Sequence, residues 1–201
     1  MDTNRGSTNI SILVLSLLSG LIVILTSVFQ WTLVDVLTPF LMPIIWFIVF
    51  AVFLITLIVS IIVLIRGKLW KPFSIHIIAL IFYFFFPVTQ TVINLDYRLN
   101  KEVRLEVIKL IESKALVPNV SYNDSIIHLP KEFKHLSKGG GDIMIEKEGK
   151  KVLFLTFRGV LDNFSGFIYS SDDQKPQQVD FGGDYKEIKR MGKNWFWASS
   201  Y

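Results

Sequence analysis

The residues of this chain that could do acid–base or nucleophilic chemistry are few and widely spaced. The chain has 201 residues with three histidines and no cysteine, which excludes thiolate catalysis and disulfide bonds. His128 and His135 could each serve as a general base. Ser165 lacks the flanking glycines of the G-x-S-x-G nucleophile turn. Because no spacing connects either histidine to a nucleophile, we expect no catalytic residues and predict that the protein is not an enzyme.

Metal and phosphate sites are not indicated either. The two histidines are about two helical turns apart, too far along a helix to bind one ion together. No H-E-x-x-H motif occurs, and Asp172-Asp173 lacks the alternating ligands of a calcium loop. The glycine run at residues 139–141 lacks the G-x-x-x-x-G-K-[ST] pattern and precedes a predicted strand instead of a helix. That run therefore predicts a turn, and we expect no metal ion and no cofactor.

An aromatic pattern near the C-terminus is the leading candidate for an interaction surface. Trp195, Trp197 and Tyr201 alternate along a predicted strand and so share one face. Two interpretations remain open: the rings complete the core of a small domain, or they are exposed and bind a sugar, a peptide or a partner protein. In the second case Arg158 and Tyr169 would be their neighbours on the surface.

The charges of the chain are concentrated in its second half. Of 38 charged residues, 32 lie from Asp96 onward, and these comprise 17 basic and 15 acidic side chains. Basic and acidic residues are interleaved there, which argues against a nucleic-acid partner. The high content of Ile, Lys and Phe favours a bacterial source.

Three apolar runs precede this charged half and predict transmembrane helices at about residues 10–31, 43–65 and 73–95. The second run has no charge until Arg66 and begins with Pro43, a residue favoured at the first helical position. The lipid bilayer is therefore a predicted partner. The first run carries Ser16, Ser19 and Gly20 on one face, where a neighbouring helix can approach closely.

The third run contains two unusual residues. Pro87 removes a backbone hydrogen bond and predicts a kink in the helix. His76 is ionisable, and its position one turn from the predicted membrane surface favours a snorkelled or hydrogen-bonded side chain over a proton relay.

The basic residues of the short loops predict the orientation of the spans. Arg66, Lys68 and Lys71 lie around the second loop, whereas the first loop has Asp35 and no basic residue. By the positive-inside rule the second loop and the N-terminus are cytoplasmic, and the segment after Leu95 is outside. Several basic residues just after the third span oppose this orientation, but long domains translocate largely regardless of charge.

Residues 96–201 predict a soluble α+β domain. A helical stem over 96–116 has Leu99, Val103 and Val107 on its apolar face and Arg104 on a polar face, and it is followed by an antiparallel β-meander of about five strands. The segment 152–157 is almost wholly apolar, which predicts a central strand covered on both faces, and Gly166 in the next strand predicts a bulge or a close approach.

Two functional hypotheses follow from this organisation. In the first, the chain is an integral, multi-pass membrane protein that presents a small, non-enzymatic binding or sensing domain outside the membrane, where another membrane or envelope protein could be its partner. In the second, it is an accessory or scaffolding subunit of a membrane transport or export complex, and the spans themselves carry the function.

Overall fold

The computed structural model describes residues 2–146, 149–160 and 163–201, which form four α-helices and a six-stranded antiparallel sheet. The helices are α1 (Asp2–Leu37), α2 (Met42–Gly67), α3 (Trp70–Phe85) and α4 (Val88–Glu112). The chain divides into two compact units. The helical unit comprises the residues up to Leu33 together with Phe40–Val92, and the sheet unit comprises Val34–Pro39 together with Ile93–Tyr201.

Two of the described helices are long and apolar enough to cross a membrane, in agreement with the sequence. They are the segment Asn9–Leu37 of α1 and the whole of α2, and a third span is present if α3 and α4 count as one bent pair. Pro43 lies in the first turn of α2, as predicted. The chain therefore has the apolar helices of a membrane protein.

The helix that contains the first predicted span, about residues 10–31, extends beyond it. Helix α1 continues to Leu37, because no residue in 32–37 breaks a helix. It ends just before Thr38, which has a φ of 80° and precedes Pro39. A proline disfavours the helical conformation of the residue before it, so Pro39 sets this boundary.

The third predicted span is broken. The kink at Pro87 is confirmed: α3 ends at Phe85, and Phe86 is extended, with φ −84° and ψ 126°. The axes of α3 and α4 differ by 65° at this break. Helix α4 then runs without interruption through residue 95 and ends at Glu112, short of the predicted stem end at 116. The predicted span 73–95 therefore comprises parts of two helices, and the stem belongs to a helix that begins at Val88.

The sheet has one strand more than predicted and is not a simple meander. Its strands are β1 (Ile126–His128), β2 (Asp142–Glu146), β3 (Lys151–Arg158), β4 (Phe164–Ser170), β5 (Tyr185–Gly192) and β6 (Trp195–Ser200). The spatial order is β1-β2-β3-β4-β6-β5, with every neighbouring pair antiparallel. The sequence also predicts a hairpin turn at residues 148–149 and a second turn over 158–163, and both include residues outside the described ranges.

The first face of this sheet, the helix face, packs against α4. Tyr97 and Arg104 of α4 contact its aromatic rings, with Arg104 Cζ 4.4 Å from the ring centre of Phe167 and Tyr97 6.1 Å from Trp195. From Ile93 onward, the buried residues of α4 form a stripe made of Ile93, Tyr97, Arg104, Val107, Ile108 and Ile111. Arg104 was predicted on a polar face, yet it is only 1% exposed, whereas Leu99 of the predicted apolar face is 71% exposed.

On the second face, the groove face, the described residues place no α-helix. Its apolar residues include Leu153, Leu155 and Ile168, and they pack against Phe181 and Tyr185. Phe181 belongs to a short 3-10 helix, Asp180–Gly182, that lies over one part of this face. Strand β3 is apolar and buried on both faces, as the sequence predicted.

Candidate functional site

Three polar side chains from three neighbouring strands meet on the groove face. His128 and Asp142 are register partners of β1 and β2, and Asp142 Oδ1 lies 2.7 Å from His128 Nδ1. Arg158 at the end of β3 donates from Nη1 to Asp142 Oδ2 at 3.1 Å. We call these three residues the charged row. The central carboxylate is 14% exposed, and its two partners are about half exposed.

A β-bulge places Arg158 in this row. The pairing of β3 with β4 shifts between Leu155 and Phe157, so that Leu155 pairs with Gly166 and Arg158 pairs with Phe164. Strict alternation from Leu155 would direct Phe157 to the groove face and Arg158 to the helix face. The extra residue of the bulge reverses this and puts the guanidinium beside Asp142.

The glycine run holds the neighbouring loop close to the charged row. Gly139, Gly140 and Gly141 all have positive φ angles, between 73° and 87°. A Cβ at Gly139 would lie 2.7 Å from Cδ of Arg158, so only glycine fits there. The run is therefore a turn, as predicted, and its backbone supports Arg158.

Next to the charged row is a groove with a volume of about 260 Å³. Its apolar lining is Ile126, Met144, Leu155, Phe164 and Phe181, and its polar lining is Asn123, Asp142, Arg158 and Asn163. Tyr122 also lines the groove and is 77% exposed. Small-molecule and peptide sites combine an apolar cavity with a few convergent polar groups in this way.

Several hydrogen-bond donors at the groove have no partner among the residues that the structure describes. They are Nε and Nη2 of Arg158, Nδ2 of Asn123 and the side-chain amide of Asn163. Asn123 Oδ1 accepts from the Ser125 N–H at 2.8 Å. Because these groups are partly exposed, water can satisfy them until a ligand displaces it.

His128 is oriented by its contact with Asp142. A carboxylate only accepts, so the imidazole donates through Nδ1–H, and Nε2 is the ring nitrogen left for another partner. Within the described ranges, no serine or threonine hydroxyl contacts this nitrogen, and no three His, Asp or Glu side chains are grouped as metal ligands. The arrangement is thus suited to holding a polar ligand group.

The five residues of the predicted interaction surface do not lie on one surface. Trp195 and Trp197 are 1% and 5% exposed, so these two rings lie in the core and are not open to a ligand. Trp195 packs against Tyr169, and Trp197 Nε1 donates to a buried threonine hydroxyl. Burial and the nearby Glu112 carboxylate raise the pKa of Tyr169 above its ordinary value. Only Arg158 and the 71% exposed Tyr201 are open to a ligand.

The basic residues used to predict orientation are exposed around the second loop. Arg66 lies in the last turn of α2, Lys68 follows with a left-handed φ of 53°, and Lys71 lies in the first turn of α3. All three are available to lipid headgroups or water.

A second polar cluster lies inside the helical unit. His76 is fully buried, with Nδ1–H donating to the Pro72 carbonyl at 2.9 Å and Nε2 3.0 Å from Thr56 Oγ1 and 3.3 Å from Ser19 Oγ. The cluster therefore joins α1, α2 and α3. His76 is hydrogen-bonded, which was one of the predicted alternatives, and it does not snorkel to the surface.

No family model matches this chain, and neither a curated protein nor a solved structure matches it. The site is therefore interpreted from its own residues. Sequence reasoning missed the charged row and the groove, although it named Arg158. Alternation along β2 could have placed Asp142 beside Met144, but the bulge that directs Arg158 to the same face has no signal in the sequence other than Gly166.

Proposed function

We propose that this chain is an integral membrane protein that presents a small, non-enzymatic binding or sensing domain, and that its ligand binds in the groove beside the charged row. The observation that carries the proposal is the pairing of an apolar cavity of about 260 Å³ with donors that no described residue satisfies. These donors are partly exposed, so water can satisfy them while the groove is empty, and a ligand that displaces this water can accept hydrogen bonds from them.

The proposed location of the domain is outside the membrane. Its support is the cluster of Arg66, Lys68 and Lys71 at the second loop, together with the absence of a basic residue in the first loop. Digestion of intact cells by an added protease tests this orientation. Cleavage within residues 113–125, between α4 and β1, is expected, and protection in cells but cleavage after lysis would refute it.

The alternative, an accessory subunit of a transport or export complex, relied on the small-residue face of the first span and on the kink in the third span. In the helical unit this face is already occupied by the chain's own helices. A Cβ at Gly20 would lie 3.3 Å from Cβ of Ala79 in α3, and Ser16 and Ser19 are buried. The groove is therefore the better supported candidate surface.

Site-specific photo-crosslinking in the native cells tests the proposal. Tyr122 at the groove and Tyr201 away from it are 77% and 71% exposed, so replacing each with a photoreactive phenylalanine derivative gives a matched pair. We expect a defined adduct only from position 122, and we expect Arg158→Gln to reduce it. Equal adducts from both positions, or an adduct at 122 that does not depend on Arg158, would refute the groove as the binding site.

A further inference from the structure

We propose that the groove recognises the carboxyl terminus of a peptide whose last side chain is apolar. The inference rests on the proposed function, since it assumes that the groove is a binding site, and it identifies the chemical class of the ligand. It combines three features that line the same groove: a cationic group with free donors, two side-chain amides and an apolar cavity.

The cationic group selects an anion. Only Nη1 of Arg158 is engaged by a described residue, and this leaves Nε and Nη2, which form one edge of the guanidinium fork. That edge matches the two oxygens of a carboxylate. Asp142 holds the other side of the guanidinium, so the free edge has a fixed direction.

The two amides favour a peptide over a simple fatty acid. Asn123 and Asn163 line the groove together with Arg158. A side-chain amide both donates and accepts, and so complements the N–H and C=O of a peptide bond. An acyl chain would engage the guanidinium but would leave both amides without a partner.

The cavity has room for one apolar side chain. Its volume of about 260 Å³ exceeds the ~150 Å³ of an apolar cavity that holds benzene. Leu155 and Phe181 are buried in its lining, so a ligand group there would contact apolar atoms. A leucine or phenylalanine side chain fits this space, whereas glycine or alanine would leave it largely empty.

Fluorescence polarisation with the full chain in lipid nanodiscs tests the inference. The probes are dye-labelled tetrapeptides of Gly-Gly-Gly-X, with X as Ala, Leu or Phe, each made with a free carboxyl terminus and with a terminal amide. We expect the Leu and Phe acids to bind roughly 10- to 100-fold more tightly than their amides, the loss typical of a charged hydrogen bond. We also expect them to bind roughly 10-fold or more tightly than the Ala acid.

Variants then assign the effect to the groove. Arg158→Gln should weaken the Leu acid to the level of its amide and leave the amide unchanged. Arg190→Gln is the matched control. Arg190 is an exposed arginine of strand β5 that pairs with Asp173, and it does not line the groove. It should change neither affinity.

Three results would overturn the inference. The first is equal affinity for the acids and their amides, and the second is unchanged affinity for the acids in Arg158→Gln. The third is displacement of the Leu acid by hexanoate at equal concentration, which would indicate an acyl carboxylate as the ligand. If Arg158-dependent crosslinking from position 122 persists in any of these cases, the groove remains the binding site and only the ligand class is wrong. If that crosslinking is also absent, the proposed function fails with it.

Discussion

Removing Asp96 should destabilise the sheet unit far more than removing its partner Arg104. Arg104 is 1% exposed, and Nη2 donates to Asp96 Oδ2 at 2.9 Å and to the Leu136 carbonyl at 3.2 Å. Asp96→Ala leaves a buried guanidinium with no counter-charge, which costs about 3–5 kcal/mol. The aromatic rings of Phe154 and Phe167 near the guanidinium offset only part of this.

Arg104→Met removes the charge and leaves an apolar chain of similar length on the same rings. It also removes Nε, a buried donor for which the described residues provide no acceptor. The carboxylate left behind is 30% exposed, so water can solvate it. We therefore expect a loss of no more than about 1 kcal/mol, because replacing buried charges with apolar side chains is often neutral.

Urea unfolding of the full chain in nanodiscs, followed by pulse proteolysis, measures this difference. The apolar helices of the helical unit resist urea in lipid, so the transition reports the sheet unit. With a slope of about 1.5 kcal/mol per molar urea, Asp96→Ala should lower the midpoint by about 2–3 M. The double variant should recover most of that loss. If Arg104→Met costs as much as Asp96→Ala, or if the two losses add, our account of this ion pair is refuted.

Three further predictions concern other parts of the fold. Asp180→Asn leaves the buried ammonium of Lys151 unpaired, so the same urea assay should show a loss of about 3–5 kcal/mol, which Lys151→Met in the same chain should largely reverse. Gly166→Ala places a Cβ 2.4 Å from a backbone carbonyl oxygen of β3, so it should cost at least about 1–3 kcal/mol by the same measurement, and an unchanged midpoint would contradict the close approach. Burial and two nearby carboxylates raise the pKa of Tyr185 above its ordinary 10.0. The stability that the neutral phenol contributes is therefore complete below about pH 10 and is lost as the pH rises further. Tyr185→Phe should flatten this alkaline decline in a pH series of unfolding midpoints.

The sequence predicted those helices and strands whose signals are local, such as a continuous apolar run or a proline at a helix start. The second span began within one residue of its predicted start because Pro43 marks it, and strand β3 was recognisable from its continuous apolar run. Helix α4 shows the limit. The true buried stripe is shifted from the predicted one because Arg104 is buried, and a hydrophobicity pattern assigns every arginine to solvent. The ion pair with Asp96 lies within the same helix, but the Leu136 carbonyl and the aromatic rings that also make this burial favourable come from the tertiary fold.

The groove could not be predicted for a related reason. It depends on the register of three strands, on a one-residue bulge between Leu155 and Phe157, and on a loop that returns over the sheet from about 20 residues further along the chain. Alternation gives the face of each residue only when the register is regular. A single extra residue reversed the face of Arg158, and with it the composition of the candidate site.

The groove exists because the sheet has two apolar faces and one helix to cover them. Helix α4 packs against the helix face. On the groove face the segment Asp180–Gly182 covers only one part, because it is too short to extend across the whole face. That segment is held by the buried Lys151–Asp180 ion pair and by the Phe181 N–H, which donates to Glu146. Its anchor lies at the Lys151 end of β3, and the groove lies toward the opposite end of that strand, beside the charged row. A ligand in the site proposed above would fill this groove between the segment and the charged row.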